Sequence, residues 1–278
     1  MPIRPAIAVA LLLVLAARTE AAEIAITLDD LPYAVPARVG PEQGRDIVER
    51  VNRILAAYDV TAMGFAIGEK LVPEALPALQ AFAEAGHTVA NHTWSHPDYD
   101  KITAAQFGSE VERADAALAP WMTGGKFFRF PFLHSGATAE KRAAAAGILA
   151  ALGYRDVPVS IDDDDFQYNS DYMAALAAGD AEGAQRIAAG YLAHMKAQTA
   201  HFQAMARERL GRDVKHILLL HMNRINADHL GELLAWYRSE GWTFITAQEA
   251  LADPIYGMES RYDGPKGLSQ IERVTWKP

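Results

Sequence analysis

The sequence predicts an α/β fold, an irregular (β/α)7-type barrel with a helical insertion before the sixth strand. Three observations predict it. Short β-rich runs alternate with Ala-rich helical runs along the chain, the pattern of a parallel sheet with helices outside. The units number roughly seven, short of a regular eight-fold barrel. One connection, between Ile161 and His216, runs for about fifty residues, far beyond what a crossover needs.

Each element has its own signal. EIAIT at Glu23–Thr27 reads as the first strand. Arg45–Tyr58 reads as a helix, with Ile47, Val48, Val51, Ile54 and Leu55 on one face. Thr61–Ile67 is the second strand. Pro73–Ala85 is a helix, with Pro73 suited to its first turn and Gly86 to its end. His87–Asn91 is the third strand, Thr103–Leu118 a helix, and Phe127–Phe130 the fourth strand. Ala139–Leu152 is a helix ending at Gly153, and Asp156–Ile161 is the fifth strand. Tyr172–Ala178 and Ala181–Leu210 read as the inserted helices, about residues 171–210. In the longer one Ile187, Tyr191, Met195, Phe202 and Met205 fall near a helical period. That periodicity suits an apolar face packed on the barrel; a far side that also walls a cleft is the sharper expectation. HILLL at His216–Leu220 is a buried strand, Ala227–Ser239 a helix, and Trp242–Ile245 the last strand. From Pro254 to residue 278 the chain is rich in Gly, Pro and charge, and is expected to wrap the surface without a core of its own.

The expected organisation is a leader over 1–22, the barrel over 23–253 and this tail. Met1–Arg4 is basic, Ala6–Ala16 is apolar, and small residues follow at Ala21 and Ala22. That is a secretory signal pattern, and the apolar run is too short for a bilayer-spanning helix. A periplasmic or secreted bacterial protein is expected, with no stable membrane insertion after cleavage. The chain has no cysteine, so it enters an oxidising compartment without disulfides or a lipid on cysteine. Its net charge is −9 with no basic run, which argues against nucleic acid as a partner. No phosphate-binding glycine loop and no GxSxG elbow occurs in it. Oligomeric state is not legible.

The polar residues fall in a telling place. Asp29 and Asp30 follow the first strand, His92 and His96 the third, Arg129 the fourth, Asp162–Asp165 the fifth, and His221 the sixth. In a parallel barrel those strand ends converge on one face, where active sites are built. His92 and His96, in NHTWSH, are four apart, and on a single helical turn both imidazoles would aim the same way. With a carboxylate and an open position they would make a catalytic zinc site. The pair alone is a weak signal, since histidines so spaced are more often surface or capping residues. The HExxH zinc helix is excluded, because Thr93 stands where its glutamate would be. Asp29 and Asp30 then offer one carboxylate to a metal and one to a water; alternatively they form a capping turn before Pro32.

TLDD at Thr27–Asp30, HTWSH at His92–His96, RFPF at Arg129–Phe132, DDDDF at Asp162–Phe166 and LLH at Leu219–His221 resemble, in order, the five motifs of the polysaccharide deacetylase (NodB-homology) family, carbohydrate esterase family 4. The resemblance implies a metal-dependent hydrolase that removes N-acetyl groups from a carbohydrate, a peptidoglycan or chitin-like N-acetylglucosamine polymer or oligomer. It implies a divalent metal, usually zinc, on Asp30, His92 and His96. Asp29 would be the general base, oriented and kept ionised by Arg129. The Phe132 backbone N–H would serve the oxyanion, and Leu219 would receive the acetyl methyl. His221 would be the general acid, held by Asp165. Two departures stand out: Phe166 replaces the usual tryptophan of the fourth motif, and Phe132 a frequent tyrosine. The four aspartates leave register open, so Asp162 is a second candidate partner for His221, and a solvated acidic loop is the plain alternative.

His134, His194, His201, His216 and His229 have no motif support and read as structural or exposed. Trp94 and Tyr168 sit beside motifs, where sugar stacking and packing are equally open. Two other functions remain: an O-acetyl esterase on a polysaccharide such as xylan, and an inactive glycan-binding scaffold.

Overall fold

The computed structural model describes residues 21–34 and 39–277. The leader pattern lies outside the described residues except at Ala21 and Ala22. In chain order the elements are β1 (Glu23–Leu31), α1 (Pro41–Ala57), β2 (Met63–Ala66), α2 (Leu76–Glu84), β3 (Thr88–Asn91), α3 (Ala104–Leu118), β4 (Phe127–Phe128) and α4 (Ala139–Ala151). They continue with β5 (Arg155–Asp156), α5 (Asp165–Ala177), α6 (Ala181–Leu210), β6 (His216–His221), α7 (Arg224–Ser239), β7 (Thr243–Phe244), α8 (Ala247–Ala250) and α9 (Gln270–Val274).

All strand pairings are parallel, in the order β5-β4-β3-β2-β1-β6, with β7 on the first residues of β1. The sheet curls, and residues after β5 bring its two edges together. Ser160 and Ile161 N–H both donate to Ile217 O, at 3.0 and 3.1 Å, and Leu219 N–H donates to Ile161 O at 3.1 Å. This is the irregular barrel that the sequence predicts. The fifth strand is shorter than its apolar run suggests, because Pro158 has no N–H to give the ladder.

Alternation along the strands sorts the core into two layers. Ile24, Ile26 and Leu28 of β1 pack outward, with Val48 and Leu55 of α1 and Leu230 and Leu234 of α7. Ala25 faces inward with Met63, Phe65, Ala90, Val157, Ile217 and Leu219. Inward residues further along β1 and β6, Asp29 and His221, stand at the mouth of this interior, side by side in register.

The insertion is a helical hairpin. It begins at Asp165, earlier than the expected Tyr172, because Asp163 accepts the Asp165 N–H at 2.9 Å and starts a helix that no apolar period announced. The longer helix, α6, runs between an Asp180 N-cap and Gly211 in the left-handed region at φ 72°. It buries Tyr191, Met195, Phe202 and Met205 in the same cluster as the outer face of the barrel. Among the described residues no helix is long and apolar enough to cross a membrane.

The residues from 254 onward insert Ile255, Ile271 and Val274, each at most 1% exposed, into the core shared by barrel and helices. Truncating Ile271 to Ala is expected to cost about 2–4 kcal/mol of unfolding free energy, read by urea denaturation; a loss under about 0.5 kcal/mol would place the tail outside the cooperative unit.

Candidate active site

Consecutive residues of a regular strand point to opposite faces, yet Asp29 and Asp30 serve one site. The register between β1 and β2 shifts between Leu28 and Leu31, and Asp30 has φ 69°. This bulge turns Asp30 back to the side Asp29 already faces. Asp29 Oδ2 then lies 3.6 Å from His92 Nε2, and Asp30 Oδ1 3.6 Å from His96 Nε2.

His92 and His96 do not sit on the helical turn that their spacing suggests. The segment after β3 is a loop with Thr93 at φ 68° and His96 at φ 57°. Its shape is held locally: the Thr93 N–H donates to Asn91 Oδ1 at 2.8 Å, and the His96 N–H donates to the Thr93 hydroxyl at 3.1 Å. The Gly68 N–H donates to Thr93 O at 3.0 Å. That contact needs glycine, since a Cβ there would lie 2.5 Å from the Trp94 ring. The two imidazoles meet edge to face, centroids 4.9 Å apart.

Asp30, His92 and His96 each offer a ligand atom, all within 4.8 Å of one another. Three observations bear on whether a metal fits. The His92 Nδ1–H donates to Arg129 O at 2.8 Å, which leaves Nε2 with its lone pair toward the site. Burial holds His92 and His96 down to about 4, so both are neutral donors. Asp30 Oδ1 is buried with no hydrogen-bond partner. Burial opposes ionisation of Asp30, but its charged neighbours, Lys70 first and His221 next, outweigh it and bring it to about 2. One carboxylate and two free imidazole nitrogens suit a divalent ion. A second cluster, Asp98, Asp100 and His134, is spent on its own bonds: Asp98 accepts from His134 and from the Asp100 N–H, and Asp100 from the Ala137 N–H.

On one flank, Arg129 Nη1 donates to Asp29 Oδ1 at 2.6 Å and to the Thr27 hydroxyl at 2.8 Å; Nε donates to Val157 O at 3.0 Å. The guanidinium lies 4.1 Å over the Phe65 ring and is 1% exposed. Arg129 was expected to keep Asp29 ionised. Burial is the larger influence and raises the Asp29 carboxyl above its ordinary value, with Arg129 opposing.

On the other flank, the His221 Nδ1–H donates to Asp165 Oδ1 at 2.5 Å. Asp165 Oδ2 accepts the His221 backbone N–H, Asn223 Nδ2 and Asn226 Nδ2. Burial disfavours the imidazolium, but Asp165, by charge and hydrogen bond, and then Asp30 and Asp29 outweigh it and hold His221 at about 10. Asp165 therefore partners His221. Asp162 instead accepts the neighbouring Asp163 N–H at 2.9 Å, and burial pushes it up to about 7. The acidic run is not a solvated loop, since Asp163 and Asp165 are buried.

Two exposed rings border the site. Phe132 meets His96 edge to face at 4.6 Å, and Phe166 meets His221 at 5.9 Å. Leu219 lies two residues before His221 on the inner face, buried in the interior cluster. Trp94 is covered by the Arg113 guanidinium at 3.8 Å, and Tyr168 packs on Tyr191 and His194; both serve packing. Three residues escaped the sequence reading. Asn223 and Asn226 are N-terminal polar residues of α7, and the Asn-x-x-Asn spacing at a helix start was the available signal. Lys70, whose Nζ stands 3.6 Å from Asp30 Oδ2, had none.

Fold and site together define an α/β barrel with a metal-capable cleft at the carboxyl ends of its strands. The polysaccharide deacetylase family model matches residues 16–151. A chitin deacetylase of Colletotrichum lindemuthianum is 26% identical over 167 residues, which cover 58% of this chain and 59% of that protein. A peptidoglycan-N-acetylglucosamine deacetylase of Bacillus cereus is 28% identical over 118 residues, 40% of this chain and 36% of that protein. The solved structure of the Colletotrichum chitin deacetylase superposes with a TM-score of 0.58 at 21% identity, covering 84% of this chain and 89% of that one. Over residues 16–151, just under half of its length, the chain is similar to the polysaccharide deacetylase family, carbohydrate esterase family 4.

Two outcomes follow from the electrostatics. Lys70→Met removes a cation from Asp30 and is expected to tighten divalent-metal binding by on the order of tenfold, measured by competition with a chromophoric chelator; unchanged affinity would show that Lys70 does not reach the site. His221 is raised from 6.5 to about 10 on folding. Its stabilising contribution is therefore full below pH 6.5 and lost as pH rises toward 10. In chelator-treated protein, His221→Gln should lower Tm clearly at pH 6 and much less at pH 10; equal losses would contradict the pairing.

Proposed function

We propose that this chain is a metal-dependent hydrolase that removes N-acetyl groups from a carbohydrate, a peptidoglycan or chitin-like N-acetylglucosamine chain, outside the cytoplasm. One observation carries the reading. The ligand trio Asp30, His92 and His96 shares the cleft with an arginine-held carboxylate, Asp29, and, next to it in register, a carboxylate-held histidine, His221. A proton acceptor and a proton donor thus stand within reach of one metal-capable place, the set that acyl transfer needs. The names of the relatives support the substrate class, and the exposed rings of Phe132 and Phe166 suit a sugar face. Zinc is the metal best matched to this donor set.

When bound, the metal supplies Lewis acidity, polarising the acetyl carbonyl and acidifying water. Asp29 accepts the proton of the attacking water. Its raised carboxyl makes it a stronger base than a free aspartate, and Arg129 fixes its aim. The Phe132 N–H donates to the carbonyl oxygen as it gains charge. Leu219 receives the acetyl methyl. His221 delivers its proton to the leaving nitrogen as the carbon–nitrogen bond breaks, and Asp165 fixes its tautomer. The products are acetate and a free amine on the sugar.

The test is acetate release from N-acetylglucosamine oligomers, peptidoglycan and acetylated xylan by metal-loaded and chelated protein. Release from an N-acetylated glycan, abolished by chelation, is expected. Asp29→Asn should keep its metal and lose at least about a hundredfold in kcat. Release from xylan alone would make the protein an O-acetyl esterase, and none from any glycan would refute the hydrolase reading.

A further inference from the structure

The Phe132 turn is strained. Phe132 and Leu133 are consecutive non-glycine residues at φ 58° and 56°, a conformation that side chains with a Cβ rarely adopt. Such a turn persists only where its surroundings hold it. Its own bonds are two, from the Leu133 N–H to Phe130 O at 3.1 Å and from the His134 N–H to Pro131 O at 3.0 Å.

The His134 ring anchors the residue after the turn to Asp98 at 2.8 Å, and a further grip comes from the far end of the chain, past the last of the five motifs. Arg273 Nη2 donates a close hydrogen bond to Leu133 O, and Nε donates to Leu268 O at 3.0 Å. Arg273 is buried, at 6% exposure, and among the described residues it forms no ion pair. Asp156 is the leading carboxylate acting on it, from beyond ion-pair distance, so its direct bonds are those to the two carbonyls. Gly267 closes the turn from the same side: a Cβ on it would lie 2.1 Å from Phe132 O. The platform is rigid. Ser269 and Glu272 form a capping box at the start of α9, Ile271 and Val274 are buried, and the Gln270 N–H donates to Val159 O at 2.7 Å.

We propose that Arg273 and Gly267 are positioning residues of the active site: the carboxyl-terminal segment clamps the Phe132–Leu133 turn and so aims the Phe132 N–H and ring. This rests on the deacetylase reading for its effect on turnover, but not for the clamp. Removing the guanidinium lets the turn relax toward ordinary backbone angles. The oxyanion donor is then displaced while the metal ligands, Asp29 and His221 keep their places. A displaced donor costs the transition state more than the ground state.

The test uses the full, metal-loaded chain with Arg273→Ala, Arg273→Lys and Gly267→Ala. Hydrogen exchange at the Leu133 and His134 amides reads the turn without reference to activity. Exchange there should quicken by about tenfold or more in Arg273→Ala and Gly267→Ala, with amides of β1 and α6 unchanged. On an N-acetylglucosamine oligomer, kcat should fall by on the order of tenfold to a hundredfold with KM within about threefold. Added guanidinium at millimolar concentration should restore part of kcat to Arg273→Ala and none to Gly267→Ala. Arg273→Lys should recover little, since one ammonium does not span both carbonyls. Unchanged exchange at Leu133 and His134 in a folded variant would overturn the clamp, whether or not the protein deacetylates anything. Quickened exchange with unaltered kcat in an active enzyme would overturn its role in catalysis. Where the wild type releases no acetate, the exchange result alone decides the clamp, and it is the deacetylase reading that fails.

Discussion

One buried arginine ties the working face of this barrel together. The Arg129 side chain binds Asp29 and Thr27 of β1 and the Val157 carbonyl just past β5, while its own carbonyl receives the His92 ring after β3. Four neighbouring segments are thus held at one residue. Breaking a buried ion pair of this kind by removing one partner typically costs about 3–5 kcal/mol, because the other charge is left stranded. The cost of desolvating Arg129 is met in part by the hydrogen bonds of Nη1 and Nε and by the Phe65 ring beneath it, while Nη2 is buried without a partner.

The charges of the site form a set. Asp29, Asp30 and Asp165 face Arg129, Lys70 and His221, carboxylate against cation on each flank and at the centre. Two of these pairs are enclosed. The third, Lys70 with Asp30, is the looser one at 3.6 Å, with both side chains partly exposed. A divalent ion entering among Asp30, His92 and His96 would meet the lysine as its competitor, since the other two cations are already bound to carboxylates of their own. The same arrangement separates proton roles. Asp29 is raised by burial and gains basicity, whereas His221 is raised by Asp165 and keeps its proton. Environment, not residue type, separates the two carboxylates: Asp29 is raised by burial, and Asp165 accepts the His221 ring N–H.

Segments outside the motifs contribute differently. The α5–α6 hairpin buries its apolar stripe against the barrel and α7, and it begins with Asp165, so the partner of His221 is the first residue of a helix packed into the core. Asn223 and Asn226, at the start of α7, converge on the same carboxylate. The residues past 254 look like a polar tail by composition but enter the core at Ile255, Ile271 and Val274. Short apolar stretches among Gly, Pro and charge show too little period to be read as helix, and their burial depends on a surface built by other parts of the chain.

The sequence by itself determined the β–α alternation, the inserted helices and the placing of the motif residues near strand ends, because hydrophobic period and turn chemistry are local. The helix over Ala181–Leu210 was legible from its apolar stripe, and the structure adds the Asp180 cap and the left-handed Gly211 that bound it. Tertiary structure alone decided what depends on backbone angle and on distant neighbours. The bulge at Asp30 is invisible in TLDD, since nothing in two adjacent aspartates says that a register shift will turn both to one side. The loop at His92–His96 replaced the helical turn that a spacing of four suggests, because bonds from Gly68, Asn91 and Thr93 hold a left-handed path. Among four consecutive aspartates, only burial and the approach of β6 single out Asp165. Lys70, Asn226 and Arg273 meet their partners across 40, 61 and 140 positions of chain, and pairing over such separations is set by packing, which no local pattern encodes.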